Sequence, residues 1–185
     1  MTLEERVFCY RFFSEFFRGT FPAELSAAWP AAAQLCGVEA RDLKLDQRLK
    51  QDWARTFYGV GKNTVTLTQS TWLNALRLQC QEPCRAAQEA YRKAGVEPNL
   101  GADRLPEDHA ATLLGFMAWL LETQNQAVPA DVFFKNHFTG WWDSMEKAAH
   151  AYLANENADR VLEAFEKFLA QERANFGLQA EQPLA

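Results

Sequence analysis

Apolar side chains recur at three- and four-residue intervals along almost the whole chain, and that period confines it to helices packed on helices. Leu3, Val7, Phe8, Phe12, Phe13, Phe16 and Phe17 form the first stripe, opened by a capping box of Thr2 and Glu5 and ended by Gly19. Pro22 opens a second, Ala-rich helix carrying Leu25, Trp29 and Leu35, in which Pro30 is expected to force a kink or break before Gly37 closes it. Leu45, Leu49, Trp53 and Phe57 follow at intervals of four, with Lys, Arg, Gln and Asp on the other side. A fourth helix is expected over residues 70–93, with Trp72, Leu73, Leu76, Cys80 and Tyr91 buried and a kink at Pro83. A fifth starts at Pro106, another runs from Val132-Phe133-Phe134 through Trp141-Trp142 to Leu153, and the last carries Val161, Leu162, Phe165, Phe168, Leu169 and Phe176.

One stretch breaks the period. Asn63-Thr64-Val65-Thr66-Leu67-Thr68 alternates polar and apolar as a strand does, but no second strand pattern exists to pair with it. It is therefore expected to be an extended surface loop, and a loop of about ten residues in a compact helical chain invites a functional explanation.

A chain of 185 residues is one domain of ordinary size, in which folding hides roughly 70% of the unfolded surface. The sequence predicts a single all-α helical bundle over residues 1–176 and a mobile tail over 177–185, where Pro183 and few apolar residues stand. With 14 Phe and 6 Trp the chain is rich enough in aromatic side chains for a dense core or an apolar groove. A net charge of −5 argues against nucleic acid as a partner, since duplex binding depends on Lys and Arg neutralising phosphates. No window approaches the roughly 20 apolar residues of a membrane-spanning helix, and the acidic start interrupted by Arg6, Arg11 and Arg18 does not read as an export signal. The expectation is a cytoplasmic protein without stable membrane insertion. Cys9 and Cys36 fall in apolar helical pattern; Cys80 and Cys84, four apart, could share a helix face, but the spacing is not that of zinc or redox motifs.

The segment Leu105-Pro106-Glu107-Asp108-His109 reads as a helix start, because proline fits the first turn and the acidic pair complements the positive end of the helix dipole. It sets two titratable side chains, Asp108 and His109, at the rim of the core, where either a cap or a binding group fits. No nucleophile elbow or recognisable Cys/His signature occurs, and Gly59-Val60-Gly61-Lys62-Asn63-Thr64 lacks the spacing of a phosphate loop. A metal-dependent hydrolytic site of Asp108, His109 and His137 is a weak rival, since the three lack local motif spacing. From the residues alone, a peptide- or protein-binding module is favoured.

Several segments then stand in order: Trp53-x-x-x-Phe57-Tyr58-Gly59, Ser70-Thr71-Trp72-Leu73, Pro106-Glu107-Asp108-His109 with Gly115-Phe116-Met117-Ala118-Trp119-Leu120, and Phe133-Phe134-x-x-His137-Phe138-x-x-Trp141. Together they resemble the TorD/DmsD/NarJ family of redox-enzyme maturation chaperones. The resemblance implies the all-helical fold of that family, no catalytic activity and no cofactor of its own. Its implied partner is the apo form of a molybdenum-containing reductase or dehydrogenase subunit, held through its twin-arginine signal peptide or N-terminal region until cofactor is inserted, so that export is not premature. Carried over by position, Asp108, His109, Glu107, Trp72, Ser70, Gly59 and Phe57 belong to the peptide-binding region. An acidic group there could hold a guanidinium while aromatics accept an apolar stretch, and His109, titrating near neutrality, would make binding pH-dependent. Trp53 and Phe57 fit a core equally well. The chain departs from the family in reading Gly59-Val60 and Leu67-Thr68 where prolines are usual, which is expected to loosen or reshape residues 60–69. Monomer and domain-swapped homodimer both stay open, as does a helical adaptor with a different protein client.

Overall fold

The computed structural model describes residues 1–59, 64–97 and 104–178. Among them the fold is all-α, with nine helices: α1 Leu3–Arg18, α2 Ala23–Cys36, α3 Gln47–Phe57, α4 Gln69–Leu73, α5 Glu82–Ala94, α6 Ala110–Thr123, α7 Ala130–His137, α8 Trp142–Tyr152 and α9 Glu156–Asn175. None is long and apolar enough to cross a membrane. Gly177 and Leu178 close α9, and the rest of the expected tail lies outside the described residues.

The centre of the fold is α1 packed along α6. Small side chains let these helices approach closely: Ser14 Oγ donates to the Ala111 carbonyl at 2.7 Å, and a Cβ on Gly115 would sit 3.2 Å from that oxygen. Around the pair an aromatic core links Phe13 and Phe17 of α1 to Phe165 of α9, Phe17 to Trp142 of α8, and Phe16 to Trp53 of α3. Edge-to-face contacts of this kind add to the apolar burial that drives the packing. Gly19, left-handed at φ +75, follows α1 where only a hydrogen fits, since a Cβ there would collide with Tyr58 Oη and Trp53 Nε1.

Four local expectations are corrected. α2 is continuous through Pro30, so the helix is not broken there, and Trp29, Ala32, Ala33 and Cys36 are buried on both sides of it. The helix expected over residues 70–93 is two helices: Pro83 lies in the first turn of α5, where its missing N–H costs nothing, so it starts a helix and kinks none. Leu76 and Cys80 are consequently exposed in the connection between α4 and α5, and Cys80 shares no helix face with buried Cys84. The helix from Val132 is also two, α7 and α8, parted at Gly140 with φ +83. Finally, the alternating stretch is extended as expected but only half at the surface where described: Thr64 is exposed and Thr66 partly so, while Val65, Leu67 and Thr68 are buried. The remainder of the 60–69 segment, residues 60–63, lies outside the described residues.

Candidate functional site

The site is built where this extended stretch meets the turn before α6. Ala110 N–H donates to the Leu67 carbonyl at 2.7 Å and Gln69 N–H to the Asp108 carbonyl at 3.0 Å, forming an antiparallel bridge between Thr68 and His109. The bridge shifts the start of α6. Pro106 to His109 make a turn closed by His109 N–H on the Pro106 carbonyl, and the helix begins at Ala110, not at Pro106. His109 is the N-cap: its Nδ1 accepts from Ala111 N–H at 3.1 Å.

Asp108 is therefore no helix cap and no rim residue; it is fully enclosed. Its Oδ2 accepts from Ser70 N–H at 2.7 Å and from Ser70 Oγ at 2.5 Å, and Ser70 is enclosed as well. The Ser70 oxygen in turn accepts from Gln81 N–H at 3.1 Å, tying the residue before α5 to the same point. Beside it Trp72 is half-buried, with Nε1 donating to the Thr66 carbonyl and the Arg77 guanidinium 4.7 Å over its ring.

Glu107 faces differently. It is partly exposed and lines a cleft of about 220 Å³ with Gln88, Tyr91, Arg92, Val96 and Glu97. Tyr91 Oη donates to the Glu107 carbonyl at 2.6 Å and the Cys84 thiol reaches its carboxylate at 3.4 Å. Burial works against ionisation of Glu107, but its backbone amide, Gln88, Cys84 and nearby Arg104 outweigh it and hold the carboxyl below the ordinary glutamate value. Burial, with Asp108 and Glu107 adding to it, pushes the Cys84 thiol up to about 12, so it is a hydrogen-bond donor here and a poor nucleophile.

His109 does not titrate near neutrality. Burial, with Arg18 adding to it, lowers its pKa to about 3, and an Nδ1 that accepts a backbone hydrogen bond belongs to the neutral ring. His137, lowered to about 4 by burial, meets Gln69 Oε1 through Nδ1 at 2.8 Å; because Gln69 Nε2 donates to the Asn136 carbonyl, the amide oxygen faces the ring and Nδ1 carries the proton. Its own carbonyl accepts from both indoles, Trp141 and Trp142. No group of three or more His, Cys, Asp and Glu among the described residues could hold a metal, so Asp108, His109 and His137 do not assemble as a ligand set.

The structure thus brings Ser70, Trp72, Glu107, Asp108 and His109 together. Phe57 packs instead in the core, its ring tilted against Trp53 with centroids 4.2 Å apart, and Gly59 is exposed beyond the end of α3. Sequence reasoning missed Gln69, Gln81 and Cys84, whose roles depend on partners far along the chain. It also missed that Leu73, Leu76 and Leu78 stand 48%, 77% and 48% exposed around the α4–α5 connection. A run of three leucines in a stretch with no clean helical period was the available signal. A larger cleft, about 520 Å³ between α3 and the start of α9, contains none of the expected residues.

The family described as nitrate reductase delta subunit matches residues 19–179, most of the chain. The chain belongs to that family. The nitrate reductase delta subunit family is one of molybdoenzyme maturation chaperones, related to the TorD type, and is not a catalytic family. Membership implies a molybdoenzyme subunit as partner. No curated protein matches the chain at a significant level.

Proposed function

We propose that this protein is a cytoplasmic chaperone that binds the twin-arginine signal peptide or N-terminal region of an apo molybdenum-cofactor oxidoreductase subunit, assists cofactor insertion and holds back export. The chaperone domain spans residues 1–176, and the peptide-binding region includes Glu107, Asp108, His109, Ser70 and Trp72, with Phe57 and Gly59 at its far end. The observation that carries this reading is a juxtaposition: exposed Leu73 next to Trp72 in α4 and exposed Leu76 and Leu78 on the connection after it, both segments joined through Ser70 to the turn that presents Glu107. A leader peptide of this kind joins paired arginines to an apolar stretch, so an ionised carboxylate and an exposed apolar strip answer its two halves.

The test is calorimetric titration of the purified protein with a panel of twin-arginine leader peptides, and pull-down of full-length apo subunits. Binding to at least one leader supports the proposal, and its loss on replacing the two arginines by glutamine would assign the charged half. Binding to none, with no apo subunit captured, sinks it. Asp108→Ala is expected to weaken binding more than Cys80→Ala.

A further inference from the structure

The Asp108 carboxyl is 0% exposed, with Oδ1 unbonded among the described residues and Oδ2 held by two hydrogen bonds from Ser70, so a partner's guanidinium could reach it only by displacing the side chains that enclose it. Those bonds lead elsewhere. Ser70 Oγ has one proton, spent on Asp108 Oδ2, and the same oxygen accepts from Gln81 N–H. Ser70 lies in the first turn of α4 and Gln81 ends the connection that follows, so one hydroxyl fastens both ends of residues 70–81 to the turn before α6.

The connection is built, not slack. Asn74 Oδ1 accepts from Leu76 N–H and the Asn74 carbonyl from Arg77 N–H, both at 2.8 Å, while Arg77 stacks on Trp72. Arg77 and Cys80 are left-handed at φ 52 and 53, a conformation that non-glycine residues keep only where the surroundings over-determine it. The result is that Leu76 and Leu78 are held in water instead of folding onto the core.

We infer that Asp108 is a positioning residue, holding through the Ser70 hydroxyl the connection that presents Leu76 and Leu78, and that Glu107 supplies the charge a basic peptide meets. This rests on the leader-peptide reading above and divides its labour. Asp108 sets the apolar half of the site; the partly exposed Glu107, on its own cleft, sets the charged half.

Two measurements test it together. In hydrogen exchange of the unliganded protein, Ser70→Ala and Asp108→Asn should both speed exchange at the Gln81 amide; unchanged exchange overturns the relay whatever the peptide result. In leader-peptide titrations over a range of salt, both variants should weaken affinity by about tenfold, the double variant no further, as for members of one buried hydrogen-bond chain. Their salt dependence should stay that of the wild type, while Glu107→Gln flattens it. Wild-type affinity in Ser70→Ala, or flattening by Asp108→Asn, shows direct charge contact at Asp108 and overturns the inference. If the wild type binds no leader while Gln81 responds as stated, the relay stands and the leader-peptide reading fails.

Discussion

Glu146 shows what a single residue conceals from sequence. It lies on the buried stripe of α8 with Trp142, Met145 and Ala149, 6% exposed, with Oε1 unbonded among the described residues. Burial, with Glu166 and Asp143 adding to it and Arg173 opposing, raises its pKa to about 9, so it carries a proton at neutral pH. The unfolded chain releases that proton near the ordinary glutamate value of 4.5. The group's stabilising contribution is therefore complete below that value and falls continuously as pH rises toward about 9. Glu146→Gln removes the dependence, so its melting temperature should gain on the wild type between pH 5 and pH 8 in thermal scans; a gap constant with pH would show that Glu146 is ionised in the fold. Nothing in the sequence marks this position, because a glutamate among Lys, Asp and His reads as a solvent face. Asp108 was legible as important for the opposite reason, its place beside Pro106, yet its burial was not, since that depends on Ser70.

At the scale of elements, the helices with strong stripes and caps, α1, α3 and α9, were readable from period and punctuation alone. The prolines were harder to read: Pro30 does not break α2, and Pro83 begins a helix where a kink was expected. Contacts between elements were invisible, and the one joining α8 to α9 is chemically distinctive. His150 Nδ1 lies 2.5 Å from Asp159 and Nε2 lies 2.7 Å from Glu166, so both ring nitrogens face acceptors and the ring is the imidazolium. Burial opposes that charge, but the two carboxylates win and raise the pKa. The clamp is complete below the pKa of a free histidine and is lost as pH climbs through the raised value. His150→Ala should thus cost more stability at pH 6 than at pH 9, read as urea midpoints; equal losses would leave His150 an uncharged packing residue.

For the whole molecule, the first helix is fastened to the last by Arg6 and Glu172. The guanidinium meets the carboxylate through Nε at 2.6 Å and Nη2 at 2.8 Å, and lies 4.8 Å over Phe176. Glu172 is fully enclosed, so Arg6→Leu leaves a buried charge unpaired and is expected to cost about 3 kcal/mol in urea unfolding, with most of it regained in the Arg6→Leu, Glu172→Leu double variant. A loss under about 0.5 kcal/mol would make the pair a surface-like contact.

The bridge between Thr68 and His109 has a consequence for the order of events in synthesis. Ser70 and Asp108 are 38 residues apart, so during translation α4 and the leucines of the connection after it exist for some time without the turn that anchors them. That span is shorter than the 97 residues between Ser14 and Ala111 and the 166 between Arg6 and Glu172, so the site can close as soon as the start of α6 is made, before the last helix joins the bundle. A nascent chain stalled before α6 would carry the adhesive leucines without the anchor that aims them.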